Sequence, residues 1–477
     1  MSQPKLNHRL TTLDAAFLYL ERKECPMHIG STSIFEGKLT HKDLTEHIAE
    51  RLHLLPRYMQ KVVPDPFNIA HPTWETCENF DIKNHIFKVK QKKAMTEKDL
   101  VKLAGETLTD VMDRNKPLWE LFIVENLEGG RSAMIAKVHH CMVDGISGVD
   151  LMKILFDISP TPTPPPPKTP VEETPKKEPV QQLLESVIGG MQETVTRLME
   201  MQGGLLYMAS SLAKPETAES LPQIAQVIPA VAAPPPILPF NGKCSGERRV
   251  AWSGFSFAEA RIIRNVLGGT VNDVVLTLLS EAVARYTKHH GQKIKDKIVR
   301  FMVPVSLRQK EQRGALGNLI SILPVEIPLD IATLPERFKC VNQKTALMKE
   351  AKMAESLMMF GAIYGIIPAP LQNILGQIAD LPVPPFNMVA TNVPGPQVPL
   401  YLAGRKMLVQ YPYVPIGYGL GLGCAILSYN QNLYFGLSSD AQAMADVEKF
   451  KEILDEVFDD LMQTVENLQH QTASANA

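Results

Sequence analysis

Apolar and polar positions alternate over residues 28–35, the pattern of a strand with one face buried, and the apolar-rich stretches 119–125 and 132–139 read as two further strands. The last two flank Leu127-Glu128-Gly129-Gly130-Arg131 and read as an antiparallel pair joined by a glycine-containing loop. Ahead of the first, Thr12-Leu13-Asp14 reads as an N-cap region leading into a helix through Leu20. In the second half, residues 272–288 predict a helix with Thr270 or Asn272 near its start, and 297–305 a buried strand. Further strands are predicted at 320–327, 386–391, 423–429 and 433–438. There is no internal repeat, and the mixture points to an α/β chain with mixed sheets.

The pattern breaks after Ser159, where a Pro, Lys and Glu-rich stretch begins and runs to about Pro179, the composition of an extended linker. A second cluster, Pro234-Pro235-Pro236 with Pro239, closes the interval. Between them, residues 183–212 carry apolar side chains at helical spacing, although Gly189-Gly190 and Gly203-Gly204 weaken a straight rod. This amphipathic helix is expected to pack on the body, with an interfacial lipid contact as the rival reading. The expected domains are 1–158, a 159–240 linker, 241–470 and a disordered tail at 471–477.

Composition narrows the function classes. With 49 basic and 51 acidic residues there is no global field to recruit nucleic acid. The six cysteines are scattered singly, which suits a reducing cytoplasm and offers no zinc framework. The first residues lack the apolar core of a secretory signal, and no stretch offers the roughly 18 uninterrupted apolar residues of a membrane span. A lipid substrate would be met at the surface of a membrane or lipid inclusion by a cytoplasmic protein.

The chemistry concentrates in His139-His140-Cys141-Met142-Val143-Asp144-Gly145, just past a strand end. A neutral imidazole can take a proton near neutral pH and return it, as acyl transfer to an alcohol requires. Neighbouring strand residues face opposite ways, so only one of the two imidazoles readily enters a given cavity. Asp144 beside Gly145 is expected to shape the loop, with Arg308 as its candidate partner. Three rival readings remain: two core histidines, a metal site, and Cys141 as nucleophile. Metal binding lacks the helical His spacing and a full ligand set, and a lone Cys is usually a small buried residue.

These motifs resemble those of the bacterial wax ester synthase/acyl-CoA:diacylglycerol acyltransferases, within the CoA-dependent acyltransferases that share HHxxxDG. The resemblance spans nearly the whole chain, through Leu13-Asp14-Ala15-Ala16-Phe17-Leu18, Met27-His28-Ile29-Gly30, Pro117-Leu118-Trp119-Glu120, Val271-Asn272-Asp273-Val274-Val275-Leu276, Pro304-Val305-Ser306-Leu307-Arg308 and Asn392-Val393-Pro394-Gly395-Pro396. It implies two chloramphenicol-acetyltransferase-like subdomains with mixed sheets flanked by helices and an active-site cleft between them. It further implies that His140 is the general base and His139 its support. Asn272 and Asp273 are expected to cap or brace, Trp119 to pack or line a lipid passage, and Asn392 to approach the site from a crossover loop.

The implied substrates are acyl-CoA with a long-chain alcohol or diacylglycerol, with no permanently bound cofactor, no metal and no obligate protein partner. Rival readings are a condensation-type acyltransferase with another acceptor and a non-catalytic lipid-inclusion protein. The 21 methionines and the apolar run at 357–367 suit an acyl channel, but suit an ordinary core better.

Overall fold

The computed structural model describes residues 8–66, 70–143, 148–167, 233–306, 320–350 and 385–475. The expected helix at 183–212, the apolar run at 357–367, Asp144, Gly145 and Arg308 lie outside them. The first half contains α1 (Thr12–Leu20), β1 (His28–Phe35), α2 (His41–Arg51), β2 (Gln60–Val63), β3 (Thr73–Thr76), β4 (Ile86–Lys88), α3 (Glu97–Thr109), β5 (Trp119–Leu127), β6 (Arg131–His139) and α4 (Gly148–Leu155). The second contains β7 (Arg248–Ser256), α5 (Phe257–Leu267), α6 (Val271–His289), β8 (Ile298–Ser306), β9 (Ile320–Pro328), α7 (Leu334–Glu350), β10 (Met388–Pro394), β11 (Tyr401–Leu402), β12 (Arg405–Tyr413), β13 (Leu422–Tyr429), β14 (Asn432–Asp440) and α8 (Val447–Ala475).

One device starts three of these helices. Thr40 with Asp43, Thr96 with Asp99 and Thr270 with Asp273 each form a reciprocal capping box, satisfying backbone donors that a helix start leaves unpaired. α1 begins on Thr11, whose side chain accepts from Asp14 N, one residue before the expected cap region. α5 stops at Gly268, in the left-handed conformation at φ 77°.

Two six-stranded mixed sheets carry the fold, in the orders β11-β12-β1-β6-β5-β4 and β7-β14-β13-β10-β8-β9. Each is flanked by helices, as expected of an α/β chain. Sheet membership does not follow the expected split at 158 and 240. β12, from the carboxyl half, pairs antiparallel with β1 from Gly30↔Tyr413 to Phe35↔Met407. Without it β1 would be an open edge presenting unpaired backbone groups. β12 is also where the sheets meet: Tyr411 stacks on Trp252 of β7, ring centroids 4.7 Å apart. A Cβ on Gly436 of β14 would lie 1.7 Å from Pro412 O, so this approach requires glycine.

A buried ion pair strengthens the seam. Arg248 NH1 donates to Asp440 Oδ2 at 2.9 Å with both side chains fully buried, while NH2 reaches Ile416 O at 2.8 Å and Glu24 O at 3.4 Å. The carboxyl half thereby grips the turn that follows α1. α8 continues to Ala475, past the expected tail boundary at 471, because extending a formed helix costs far less than nucleating one. Among the described residues no single helix is long and apolar enough to cross a membrane; α5 and α6 together would reach, but are bent by 94°.

Candidate active site

β6 delivers His139 and His140 to the end of the first sheet. His139 pairs with His28 of β1 and is fully buried, and a short 3-10 helical turn over His140–Val143 follows. His140 N donates to Met27 O at 2.9 Å, fixing the start of that turn to β1's leading edge. The His140 ring stacks on Phe17 of α1, centroids 3.9 Å apart and 14° from parallel. It is half-buried, with Nδ1 enclosed and lacking a well-formed hydrogen-bond partner. Burial lowers its pKa to about 4; the residue's own backbone opposes the fall and the His139 imidazole adds to it. At neutral pH this imidazole is uncharged.

His139 faces the other way. Its Nδ1 accepts from Cys141 N at 3.2 Å, which leaves the ring proton on Nε2. That nitrogen lies 3.2 Å from Glu21 Oε1, within ion-pair range but poorly aligned for a hydrogen bond. Glu21 terminates α1, and its carboxylate also accepts from Met27 N at 3.2 Å and Arg114 NH2 at 2.9 Å. Burial pushes the Glu21 carboxyl up, but His139, Arg114 and His28 together bring it down to about 2. Glu21 thus binds α1, the β1 entry and the histidine strand into one unit.

A second layer lies behind it. His28 Nε2 donates to Asp110 O at 2.8 Å, and burial, with the Lys137 charge, lowers its pKa to about 3. Lys137 Nζ donates to the same carbonyl at 2.6 Å, and burial lowers its pKa too. Cys141 is fully buried, and burial raises its thiol pKa well above the ordinary value, so the nucleophile reading has neither access nor a thiolate.

Comparison with known proteins decides the family. Residues 10–275, more than half of the chain, match the wax ester synthase/diacylglycerol acyltransferase catalytic domain, and 316–462 match the WS/DGAT C-terminal domain. The chain belongs to the WS/DGAT family. It is similar to probable diacylglycerol O-acyltransferases of Mycobacterium tuberculosis, tgs1 at 27% identity over 92% of each chain and tgs2 at 29% over 95% of this chain and 98% of that one. Among solved structures, a wax ester synthase/diacylglycerol acyltransferase from Marinobacter aquaeolei VT8 shares the fold, with a TM-score of 0.64 at 20% identity over 96% of this chain and 100% of that one. The first condensation domain of the calcium-dependent antibiotic synthetase shares it at 0.56 and 12% identity over 97% of each chain.

Within this WS/DGAT acyltransferase the remaining site residues fall in different places. Trp119 is 3% exposed; its Nε1 donates to Tyr58 O at 2.8 Å and its ring stacks on His85 at 4.5 Å. Asp273 is fully buried, caps α6 through Thr270, and accepts from Asn342 at 3.0 Å and Thr345 at 2.7 Å on α7. Asn272 is half-buried on the first turn of α6. Asn392 is half-buried within β10, paired with Ile426 of β13, rather than on a loop. Among the described residues no group of three or more His, Cys, Asp or Glu could hold a metal ion.

Sequence reasoning missed Glu21, Phe17, Arg114 and the buried role of His28. One signal was legible: a carboxylate at a helix C-terminus opposes the helix dipole, so Glu21 needed another partner.

Proposed function

We propose that the protein transfers a long-chain acyl group from acyl-CoA to a fatty alcohol or diacylglycerol, with His140 as general base. The carrying observation is the state of that imidazole: neutral at working pH, clamped by Phe17, its Nδ1 edge enclosed and the ring still half-exposed. In this reading Nδ1 holds the proton against the residue's own backbone and the Nε2 lone pair meets the acceptor. Nε2 takes the hydroxyl proton as the acceptor oxygen attacks the thioester carbonyl. The tetrahedral intermediate collapses, the C–S bond breaks, and the imidazolium returns the proton to the CoA thiolate.

General acid-base transfer of this kind contributes about 10²- to 10⁴-fold. Alignment of the two substrates supplies much of the rest. CoA enters and leaves as a co-substrate, and no covalent acyl-enzyme is required. The likeness to probable diacylglycerol O-acyltransferases supports diacylglycerol as acceptor, and membership of a wax ester synthase family supports a fatty alcohol.

The test is CoA thiol release by the purified protein from palmitoyl-CoA with hexadecanol or diacylglycerol. Acceptor-dependent release supports the reading. Release only with amine or carrier-bound acceptors would transfer it to a condensation-type enzyme.

A further inference from the structure

Phe17 in the last turn of α1 and Glu21 at its C-cap, four residues on, lie one above the other and meet the two neighbouring histidines by different physics. Glu21 meets His139 with a charge, Oε1 standing 3.2 Å from Nε2. Phe17 meets His140 with the face of its ring, centroids 3.9 Å apart and planes 14° from parallel. The place of that face is set by the end of α1, where the last carbonyls of the helix need partners. Phe17 O accepts from Glu21 N at 3.1 Å, Leu18 O from Arg114 NH2 at 2.9 Å, and Leu20 O from the Tyr418 hydroxyl. Residues from both halves of the chain therefore hold the ring against the imidazole.

His140 needs such a neighbour in one protonation state. Each turnover makes it an imidazolium, and burial opposes charge on this ring. Among the described residues no carboxylate is paired with it to offset that cost. On α1, Glu21 is committed to His139, Met27 N and Arg114, and Asp14 accepts from the Thr11 hydroxyl. On β1, His28 is turned to the Asp110 carbonyl, and on β6 the His139 imidazole disfavours charge on its neighbour. An aromatic face carries negative potential, and a cation lying over it within about 6 Å of the centroid is attracted. A neutral imidazole in the same place gains no such attraction. The interaction strengthens as the proton arrives, and that difference is what raises a rate.

We propose that Phe17 is a positioning residue acting through His140: its ring holds the plane of the imidazole and stabilises the imidazolium formed when the acceptor hydroxyl gives its proton to Nε2. When that proton leaves with the CoA thiol, the imidazole is neutral again and the attraction lapses. Phe17 itself exchanges no proton and forms no bond. The inference rests on the acyl-transfer reading above.

The test places phenylalanines bearing one, two and three ring fluorines at position 17 by amber suppression, with Phe17→Leu beside them. Fluorine drains the negative face in steps with little change of size, so the fold, checked by thermal melts, is retained. The kcat for CoA release from palmitoyl-CoA with hexadecanol should fall in order of fluorine count. The fall should reach about three- to tenfold at three fluorines, with KM nearly unchanged. Phe17→Leu should fall at least as far. A flat kcat across the fluorinated series overturns the proposal even where Phe17→Leu is impaired, because the ring is then packing alone. A second readout needs no turnover: diethyl pyrocarbonate acylates neutral imidazole through a transition state that also charges the ring. Carbethoxylation of His140, followed by peptide mass spectrometry, should slow in the same order, and a constant rate overturns the proposal. If the unaltered protein turns over no acceptor, the acyl-transfer reading fails, and the carbethoxylation rates still decide the role of Phe17.

Discussion

Glu21 Oε1 and His139 Nε2 lie 3.2 Å apart, joining the end of α1 to the end of β6 one residue before the proposed base. The same carboxylate holds the Met27 amide, and the Met27 carbonyl holds the His140 amide. A single side chain therefore sets both the backbone that carries His140 and the helix that supplies Phe17 beneath its ring.

Glu21→Gln keeps an acceptor for the Met27 amide but removes the charge facing His139 and Arg114. Its kcat should fall about 10- to 100-fold, the scale of a misplaced reacting group, with KM nearly unchanged and the thermal melt retained. A variant with unaltered kcat would show that this carboxylate is only a packing feature.

Acid should weaken the fold earlier than carboxylates alone would dictate. His140 and His28 have folded pKa values of about 4 and 3 against an ordinary 6.5, so the native state binds fewer protons than the unfolded chain between those limits. Their contribution is complete above pH 6.5 and is lost as pH falls, by about 2 kcal/mol each at pH 5. Glu21, lowered from 4.5 to about 2, adds a loss of the same sign only below pH 4.5. Urea midpoints should thus fall between pH 7 and pH 5, and His28→Gln should flatten part of that slope. A midpoint constant down to pH 5 contradicts the burial of these imidazoles.

Gly436→Ala probes the seam between the sheets. An added Cβ would collide with Pro412 O, a backbone atom that cannot swing away, so the variant should lose about 1–3 kcal/mol or more in chemical denaturation. Gly254→Ala is the control: its Cβ would meet only the Tyr434 ring at 3.5 Å, an ordinary contact. Equal stability of the two variants would mean that β12 does not press on β14 as described.

Much of the fold was legible locally. β1 spans the expected 28–35, and β5, β6, β8, β9, β13 and β14 match their expected ranges within two residues at each end. Alternation and turn residues are properties of short windows, so windows suffice. The capping boxes at Thr40 and Thr96 were equally readable as T-x-x-D but were not read.

The pairing of β12 with β1 was not legible, because residues nearly 400 positions apart leave no shared local pattern. The site divides the same way. The two histidines stood out by their spacing at a strand end, whereas the Glu21, Arg114 and His28 contacts exist only once β1, α1 and β6 are assembled.

The most direct measurement is the rate of acceptor-dependent CoA release from palmitoyl-CoA by His140→Ala, set beside the unaltered protein and with folding of both verified by circular dichroism. The account predicts a fall of at least about 10²-fold with the fold intact, because the proton of the attacking hydroxyl then has no acceptor. Undiminished release by the folded variant would contradict His140 as the base.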